Sequence, residues 1–341
     1  TRRAPSIPAE VELLQEILGR EGWTTAAVTG GGWMSASYGF SRGFDFFSDE
    51  GRTADQGADL FVETLGEALA TGNPVIVKAH PAHPGTSELV GHAIAKALGR
   101  TNISQAAFSL LFDAGTSIGA ALVEHPLVRA VGFTGSHDAG RALMDRAARR
   151  AVPIPVFAEM GAINPVFILP GALGDRAEAL ADRLVGSLTL SVGQYCTNPG
   201  LLVGPAGPAL DGLAEQLCAG LAAAVPGTML TRGICESYGR GVEAFAAHEG
   251  VEVLRRREGG AGPHGTRGAP ALVATDAEIF VSHPDLHREV FGPAALLVRC
   301  DDEAQMLEVA RSLDGQLTAT VCGTEPELEQ VGDLLRVLER K

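Results

Sequence analysis

The stretch NPVIVKA, residues 73–79, decides the fold of most of this chain. Its Asn-Pro turn leads into a run of β-branched apolar residues, which is typical of a strand buried on both faces. Further predicted strands and helices alternate after it with short connections: strands at 106–112, 128–133 and 154–158, and helices at 86–98, 116–124 and 136–150. This alternation predicts a parallel sheet with covering helices, and such sheets bind ligands past the carboxyl ends of their strands.

The flanking regions carry weaker patterns. Upstream, we predict a helix at 9–20, a β-rich run at 24–29, a long loop at 33–56 and a helix at 58–70. Downstream lie an apolar run, two helices, a Gly/Arg-rich loop and a second α/β stretch, at 165–169, 175–190, 208–224, 255–270 and 294–341. The chain stops in a predicted helix, LLRVLERK, without a closing Gly or Pro, and we therefore expect a truncated protein.

Bulk composition excludes several classes of function. A net charge of −14 does not favour binding to nucleic acid or to an anionic membrane surface. No signal-peptide pattern is present, and no apolar stretch reaches the roughly 18 to 20 residues that span a bilayer. The five cysteines are odd in number, scattered and without a CxxC pair, so we expect no disulfide framework and no metal site. Reduced thiols in the cytoplasm fit this pattern.

Two motifs carry candidate catalytic residues. In SVGQYCTNPG, residues 191–200, Cys196 follows a small-residue turn where backbone N–H groups can hold a developing oxyanion. In FAEMGAINP, residues 157–165, Glu159 ends an apolar run, and desolvation there would raise its pKa toward that of a useful base. Taken singly, each has a plain alternative, because a lone cysteine is usually a small buried hydrophobe and a strand-end glutamate often caps a helix.

Three other segments carry candidate binding residues. GFTGS, residues 132–136, ends a strand and opens a helix, so its backbone N–H groups can meet a phosphate; the alternative is an ordinary turn capped by Ser136. Lys78 closes a strand, where it can bond a ribose hydroxyl or phosphate or simply be solvated. REVFGP, residues 288–293, places Glu289 and Phe291 before a Gly-Pro turn, or is a simple loop.

Together, in this order and at these separations, the motifs resemble the aldehyde dehydrogenase superfamily over residues of about 69–341. The resemblance is strongest to the branch of the 2-oxoglutarate semialdehyde (2,5-dioxovalerate) dehydrogenases and an NADP-linked fatty aldehyde dehydrogenase. It implies an α/β fold with a parallel, Rossmann-type cofactor-binding domain over 69–170 and an α/β catalytic domain over 171–341, truncated at both ends.

The resemblance also implies a mechanism: NAD(P)-dependent oxidation of an aldehyde, semialdehydes included, to a carboxylic acid. Cys196 would form a thiohemiacetal and then a thioester, and Glu159 would activate the hydrolytic water. By the same resemblance, Lys78 would contact the adenine ribose of the cofactor, Glu289 the nicotinamide ribose and Phe291 the nicotinamide ring. The GFTGS turn would bind the pyrophosphate, with the residues Gly132, Thr134, Gly135 and Ser136. Pro81 replaces a carboxylate common in NAD-preferring members, which favours NADP or tolerance of both cofactors.

Upstream of residue 69 the resemblance breaks. Residues 24–66 do not match the family segment whose Asn completes the oxyanion hole. Residues 1–68, with TAAVTGGGWMSASYGFSRGFD, instead resemble a sulfatase fragment without the sulfatase nucleophile motif. The chain is then a chimera, either active or a catalytically impaired remnant, and residues 24–28 either replace the first strand beside residues 75–77 or pack poorly. The resemblance implies a homo-oligomer, and we expect the oligomerisation segments of the family to be missing from this sequence.

Overall fold

The computed structural model describes residues 26–28, 46–48, 68–69, 72–174, 176–256 and 266–341. The chain divides into two compact units, Thr1–Met160 and Gly161–Lys341. The domain boundaries expected near residues 68 and 170 stay predictions. Most of the segment that resembles a sulfatase lies outside the described residues, and so does its long loop apart from one strand. Both units are α/β, which confirms the predicted fold class.

The first unit contains three described pairs of parallel strands. These pairs are β1 with β2 (Ala26–Val28 and Phe46–Ser48), β3 with β4 (Val75–Lys78 and Phe108–Leu111), and β5 with β6 (Val131–Thr134 and Val156–Glu159). The accompanying helices are α1 (Pro84–Leu98), α2 (Ser117–Glu124) and α3 (His137–Ala148), with a 3-10 turn at Gln105–Ala107. Thus β1 pairs with β2 and not with β3, and β2 places a strand inside the predicted loop 33–56.

The strands of the first unit are less buried than their sequences suggested. Ile76 in β3 is 48% exposed and Phe157 in β6 is 69% exposed. Successive side chains of a strand point to opposite faces, and the exposed positions alternate with half-buried ones. Helices pack on these pairs at close contacts such as Gly91 of α1 on Leu110 of β4. The prediction that β3 is buried on both faces is therefore wrong, and one face of β6 is also exposed.

The second unit is built on a six-stranded sheet of order β10-β12-β13-β8-β7-β14. The β10–β12 pair is antiparallel, and the other described neighbours are parallel. Its strands are β7 (Pro165–Ile168), β8 (Leu201–Pro205), β10 (Glu252–Arg256), β12 (Ala271–Asp276), β13 (Ala294–Cys300) and β14 (Thr320–Cys322), and β9 (Gly227–Thr228) and β11 (Arg267–Gly268) form a separate pair.

Helices surround this sheet. They are α4 (Ala177–Thr189), α5 (Pro208–Ala223), α6 (Arg232–Ala247), α7 (Ala277–Ser282), α8 (Glu303–Ser312), α9 (Glu325–Gln330) and α10 (Gly332–Leu338), with 3-10 turns at Pro170–Ala172, Leu190–Gly193 and Pro284–His287. Across the described part of the chain, no helix combines the length and apolarity that crossing a membrane requires.

The central strands of the second unit are buried on both faces. Leu201 and Val203 of β8 enter one apolar cluster with Phe167, whereas Leu202, between them, enters a second cluster with Ile168. Helices α7, α8 and α10 contribute to the first cluster, and α4 and α5 contribute to the second. A continuous apolar strand is stable here because both of its faces meet helices. Strand β8 of this sheet follows the turn that carries the candidate nucleophile Cys196 and anchors one end of it.

We predict that Phe167→Ala lowers the free energy of unfolding by about 3 to 5 kcal/mol, because the fully buried ring leaves a cavity between sheet and helices. Phe157→Ala is the matched control; its ring is 69% exposed, and we expect a loss below about 1 kcal/mol. Urea denaturation followed by circular dichroism measures both. Equal losses for the two variants would contradict the described core.

Candidate active site

The segment before Cys196 runs through an unusual backbone conformation. Ser191, Val192 and Gly193 have φ angles of 46°, 61° and 65°, in the left-handed region that costs an L-residue roughly 1 to 2 kcal/mol. A Cβ on Gly193 would also collide with the carbonyl carbon of Gly292. Position 193 therefore requires glycine on two counts, its backbone angle and its close approach to the Gly292-Pro293 turn.

Side chains of the same segment hold this conformation in place. The Gln194 Oε1 atom accepts a hydrogen bond from the Leu230 N–H at 2.8 Å, and its Nε2 donates to the Ser191 carbonyl at 2.9 Å. The Ser191 and Tyr195 hydroxyls lie 3.0 Å apart. The Gly-Gln-x-Cys motif is thus fixed both to itself and to the loop before α6.

Cys196 is half-buried in the turn that follows. The Asn198 N–H donates to the Tyr195 carbonyl at 3.1 Å, and the Gly200 N–H donates to the Ile163 carbonyl at 2.9 Å. All five cysteines of the chain lie in the described part and are thiols. Burial raises the pKa of Cys300 to about 12 and also raises the pKa values of Cys218 and Cys322. These three thiols therefore form little thiolate at neutral pH.

Asn164 connects the Cys196 turn to two other segments. Its Nδ2 donates to the carbonyls of Cys196 at 2.8 Å and Asn198 at 2.9 Å, while its Oδ1 accepts from the Thr318 hydroxyl at 3.1 Å. Asn164 was not among the site residues predicted from the sequence, although it lies within the motif FAEMGAINP. The available signal was its place before Pro165, where the structure shows a left-handed φ of 46° that asparagine tolerates better than most residues.

A small cavity, open to solvent, adjoins the turn within the second unit. Tyr195 and Asn198, which flank Cys196 in the sequence, line it together with Glu289 and Phe291. The structure therefore brings the two predicted residues of REVFGP to the same cavity as the neighbours of the predicted nucleophile. The Asn198 Oδ1 is buried and has no hydrogen-bond donor among the described residues.

Glu289 has an unusual environment in this cavity. Burial raises its pKa to about 7, although a hydrogen bond donated by the Ala162 N–H favours the carboxylate and opposes the shift. A Cβ at Gly161 would collide with the Glu289 Oε2 atom. The glycine of the Glu159-x-Gly motif thus permits the Glu289 carboxylate to approach the backbone, a role that the sequence did not indicate.

The remaining predicted residues lie in the first unit. Glu159 pairs in register with Thr134, and the Gly135 N–H donates to the Glu159 carbonyl at 3.0 Å, so the GFTGS turn and Glu159 share one strand end. The Ser136 Oγ accepts from the Ala139 N–H at 3.4 Å and caps α3, as the simpler alternative proposed. Glu159 itself is exposed, so the desolvation expected at the end of a buried strand is absent.

Lys78 ends β3 and is half-buried, and two histidines lie beyond it. The His80 Nδ1 accepts from the Ala82 N–H at 3.2 Å, and the His80 ring stacks on that of His83 with centroids 5.0 Å apart. The exposed Pro81 lies between these histidines. The sequence did not indicate the contact between these two histidines, and the cofactor preference inferred from Pro81 stays a prediction.

Comparison with known proteins gives a consistent result. The profile of the aldehyde dehydrogenase family matches residues 58–232, just over half of the chain. An alpha-ketoglutaric semialdehyde dehydrogenase 2 from Azospirillum brasilense is 48% identical over 274 residues, and an alpha-ketoglutaric semialdehyde dehydrogenase from Acinetobacter baylyi is 42% identical over 275. Each alignment covers 80% of this chain and 52% of the relative, so the chain spans about half the length of these curated relatives.

Solved structures show the same fold. The glyceraldehyde-3-phosphate dehydrogenase GapN of Methanocaldococcus jannaschii, complexed with NADP, matches with a TM-score of 0.68 at 20% identity over 82% of this chain and 59% of that one. An indole-3-acetaldehyde dehydrogenase complexed with NAD+ matches with a TM-score of 0.69 at 20% identity over 82% of this chain and 56% of that one. Fold, family profile and the two relatives agree. The chain therefore belongs to the aldehyde dehydrogenase family.

Proposed function

We propose that this chain carries out the nicotinamide-dependent oxidation of an aldehyde to a carboxylic acid, with Cys196 as the nucleophile. The observation that carries this proposal is the Cys196 turn, whose neighbours Tyr195 and Asn198 line one cavity with Glu289 and Phe291. The names of the two relatives support a semialdehyde as the substrate class. A reactive thiol requires reducing conditions, which supports the cytoplasmic location as part of the same proposal.

The chemistry assigned to the chain's own residues is acyl transfer through sulfur. The Cys196 thiolate attacks the aldehyde carbon, and the Cys196 backbone N–H contributes to holding the resulting oxyanion. Loss of hydride from the substrate carbon leaves a thioester on Cys196. Glu159 then removes a proton from water, which attacks the thioester carbon and releases the carboxylic acid and the thiolate. The exposed position of Glu159 gives solvent access to its carboxylate.

A nicotinamide cofactor supplies the hydride acceptor when it is bound. In the second unit, Glu289 offers a carboxylate for ribose hydroxyls, Phe291 offers an aromatic ring, and the buried Asn198 Oδ1 offers an acceptor that a polar ligand can satisfy. These features fit the group. In the first unit, we assign contacts with it to Lys78 and to the backbone of the GFTGS turn; Gly132, Thr134, Gly135 and Ser136 form this turn.

We propose NADP as the cofactor, or both cofactors with similar affinity. Pro81 occupies the position where a carboxylate common in NAD-preferring members would repel a 2′-phosphate. The neutral or cationic side chains around it, Lys78, His80 and His83, also accommodate a phosphate group.

A catalytically impaired remnant is the second candidate. The observation that favours it is the missing match, within residues 24–66, to the family segment that supplies the oxyanion-hole Asn. Loss of one oxyanion donor typically costs about 100- to 1000-fold in kcat. A remnant of this kind would keep the nucleophile turn and bind the cofactor, and turnover would be slow or absent.

We expect the chain to reduce NADP with at least one semialdehyde, and Cys196→Ser to abolish the reaction because a serine hydroxyl is a far weaker nucleophile at neutral pH. Cys235→Ser is the matched control, because Cys235 is also half-buried but lies in α6, and we expect it to retain activity. Absorbance of the reduced nicotinamide measures turnover with NADP and with NAD. Absence of turnover combined with cofactor binding supports the remnant, and undiminished turnover by Cys196→Ser refutes the nucleophile.

Glu159→Gln should slow deacylation more than acylation, because water activation needs a base whereas thiolate attack does not. We expect a single-turnover burst of reduced cofactor to survive in this variant while steady-state turnover falls by about 100-fold or more. Rapid-mixing absorbance separates the two phases. A lost burst would show that Glu159 acts before or during attack, and an unchanged steady state would show that another group activates water.

Glu289→Gln should alter the pH dependence of stability. The pKa of Glu289 lies near 7 in the folded chain and near 4.5 when unfolded, so the folded state holds the extra proton and the wild type loses stability as pH rises between these values. We expect the free energy of unfolding of the wild type to fall by at most about 3 kcal/mol between low pH and pH 7, when that of Glu289→Gln is taken as the reference at each pH. Urea denaturation at several pH values measures it. Glu308 is exposed, so Glu308→Gln serves as the control and should show the pH dependence of the wild type. If stability varied with pH in the same way in all three proteins, the raised pKa of Glu289 would be contradicted.

A further inference from the structure

We propose that Asn164 is a positioning residue for the nucleophile, and that its carboxamide sets the peptide that follows Cys196. The inference deepens the proposed function, on which it rests for its catalytic meaning. Asn164 does not touch the cavity that Tyr195, Asn198, Glu289 and Phe291 line. It acts through the backbone of the nucleophile turn.

The donor side of the carboxamide holds the turn. Nδ2 donates to the Cys196 carbonyl at 2.8 Å and to the Asn198 carbonyl at 2.9 Å, and lies 3.5 Å from the Ala162 carbonyl. Its two protons thus bridge carbonyl groups on either side of Thr197. The Cys196 carbonyl belongs to the peptide plane directly after the thiol-bearing residue, so its bond restrains the ψ angle of Cys196. That angle in turn helps to aim both the thiol and the Cys196 N–H.

The acceptor side fixes which way the carboxamide faces. Oδ1 accepts from the Thr318 N–H at 3.3 Å and from the Thr318 hydroxyl at 3.1 Å. A flipped amide would direct its NH₂ group at the Thr318 N–H and its oxygen at the carbonyls of the turn. Both contacts would be repulsive, so Thr318 and the turn together select one orientation.

The backbone of Asn164 is restrained independently. Gln316 Oε1 accepts hydrogen bonds from the N–H groups of Ile163 at 2.8 Å and Asn164 at 3.0 Å. Asn164 is 3% exposed, so water cannot readily replace a lost bond of its side chain. Five hydrogen bonds at 3.3 Å or less therefore connect Asn164 to the nucleophile turn and to residues 316–318.

Asn164→Asp isolates the donor side. The variant keeps the size, an Oδ1 acceptor for Thr318 and tolerance of the left-handed backbone, but presents a second oxygen to the carbonyls of Cys196 and Asn198. We expect amide hydrogen exchange to accelerate in residues 195–200 and to stay unchanged in β8. We also expect iodoacetamide to alkylate Cys196 about tenfold more slowly, with an unchanged rate at Cys235, and kcat to fall by about 100-fold with little change in KM.

Matched variants separate this role from general damage. Asn164→Gly removes the carboxamide but accepts a φ of 46°, so it should reproduce the loss at Cys196 without backbone strain. Asn102→Asp makes the same chemical change at an exposed turn and should match the wild type. If Asn164→Asp fails to fold, Thr318→Val removes one anchor of Oδ1 at an exposed position, and we expect Cys196 alkylation to slow by about threefold.

The outcomes distinguish the positioning role from the proposed function. Faster exchange in residues 195–200 with slower alkylation of Cys196 supports positioning. Unchanged exchange and unchanged alkylation in Asn164→Asp, or an unchanged alkylation rate in Thr318→Val when the first variant does not fold, overturn it. If Cys196 of the wild type reacts with neither iodoacetamide nor aldehydes, the proposed function is refuted. Hydrogen exchange of residues 195–200 in Asn164→Asp then tests positioning by itself, because faster exchange supports the role and unchanged exchange overturns it.

Discussion

The hydrogen bonds of the buried Asn164 carboxamide are the contact on which the candidate site of the second unit depends. One side chain joins the loop before β7, the Cys196 turn and the segment before β14. These segments are separated in the sequence and become neighbours because β7 lies between β8 and β14 in the sheet. A buried amide that leaves a carbonyl or N–H without a partner is costly, so the three segments must be ordered together.

Close backbone approach adds a second constraint on the same region. Gly193 admits a left-handed angle and contact with the Gly292-Pro293 turn, while Gly161 lets the Glu289 carboxylate reach the Ala162 N–H. Each contact excludes a side chain at the glycine position. The motifs Gly-Gln-x-Cys and Glu-x-Gly are therefore each coupled by volume to Glu-x-Phe-Gly-Pro, and a larger residue at either glycine would displace residues of that third motif.

Local pattern was a less reliable guide to burial than to fold class. The apolar runs of β3 and β8 look alike in the sequence, yet Ile76 is 48% exposed and Leu202 is fully buried. The difference arises because β8 has strands on both sides and helices on both faces, whereas β3 has one described strand partner. An apolar run indicates that burial of the strand would be favourable, and the number of neighbouring strands and helices decides how much of it is buried. The same reasoning explains why Glu159 is exposed at the end of β6.

The sequence by itself determined the fold class and the family, because the alternation of strands and helices and the order of short motifs are properties of the chain read locally. It also indicated Cys196 from its small-residue turn, and the resemblance of their motif to the family indicated Glu289 and Phe291. The tertiary structure decided the contacts of Asn164 with Gln316 and Thr318, which are 152 and 154 residues away. It also decided the upward shift of the Glu289 pKa. Those properties depend on which distant segments meet across the sheet and how much water they exclude, and no local pattern of residues encodes that packing.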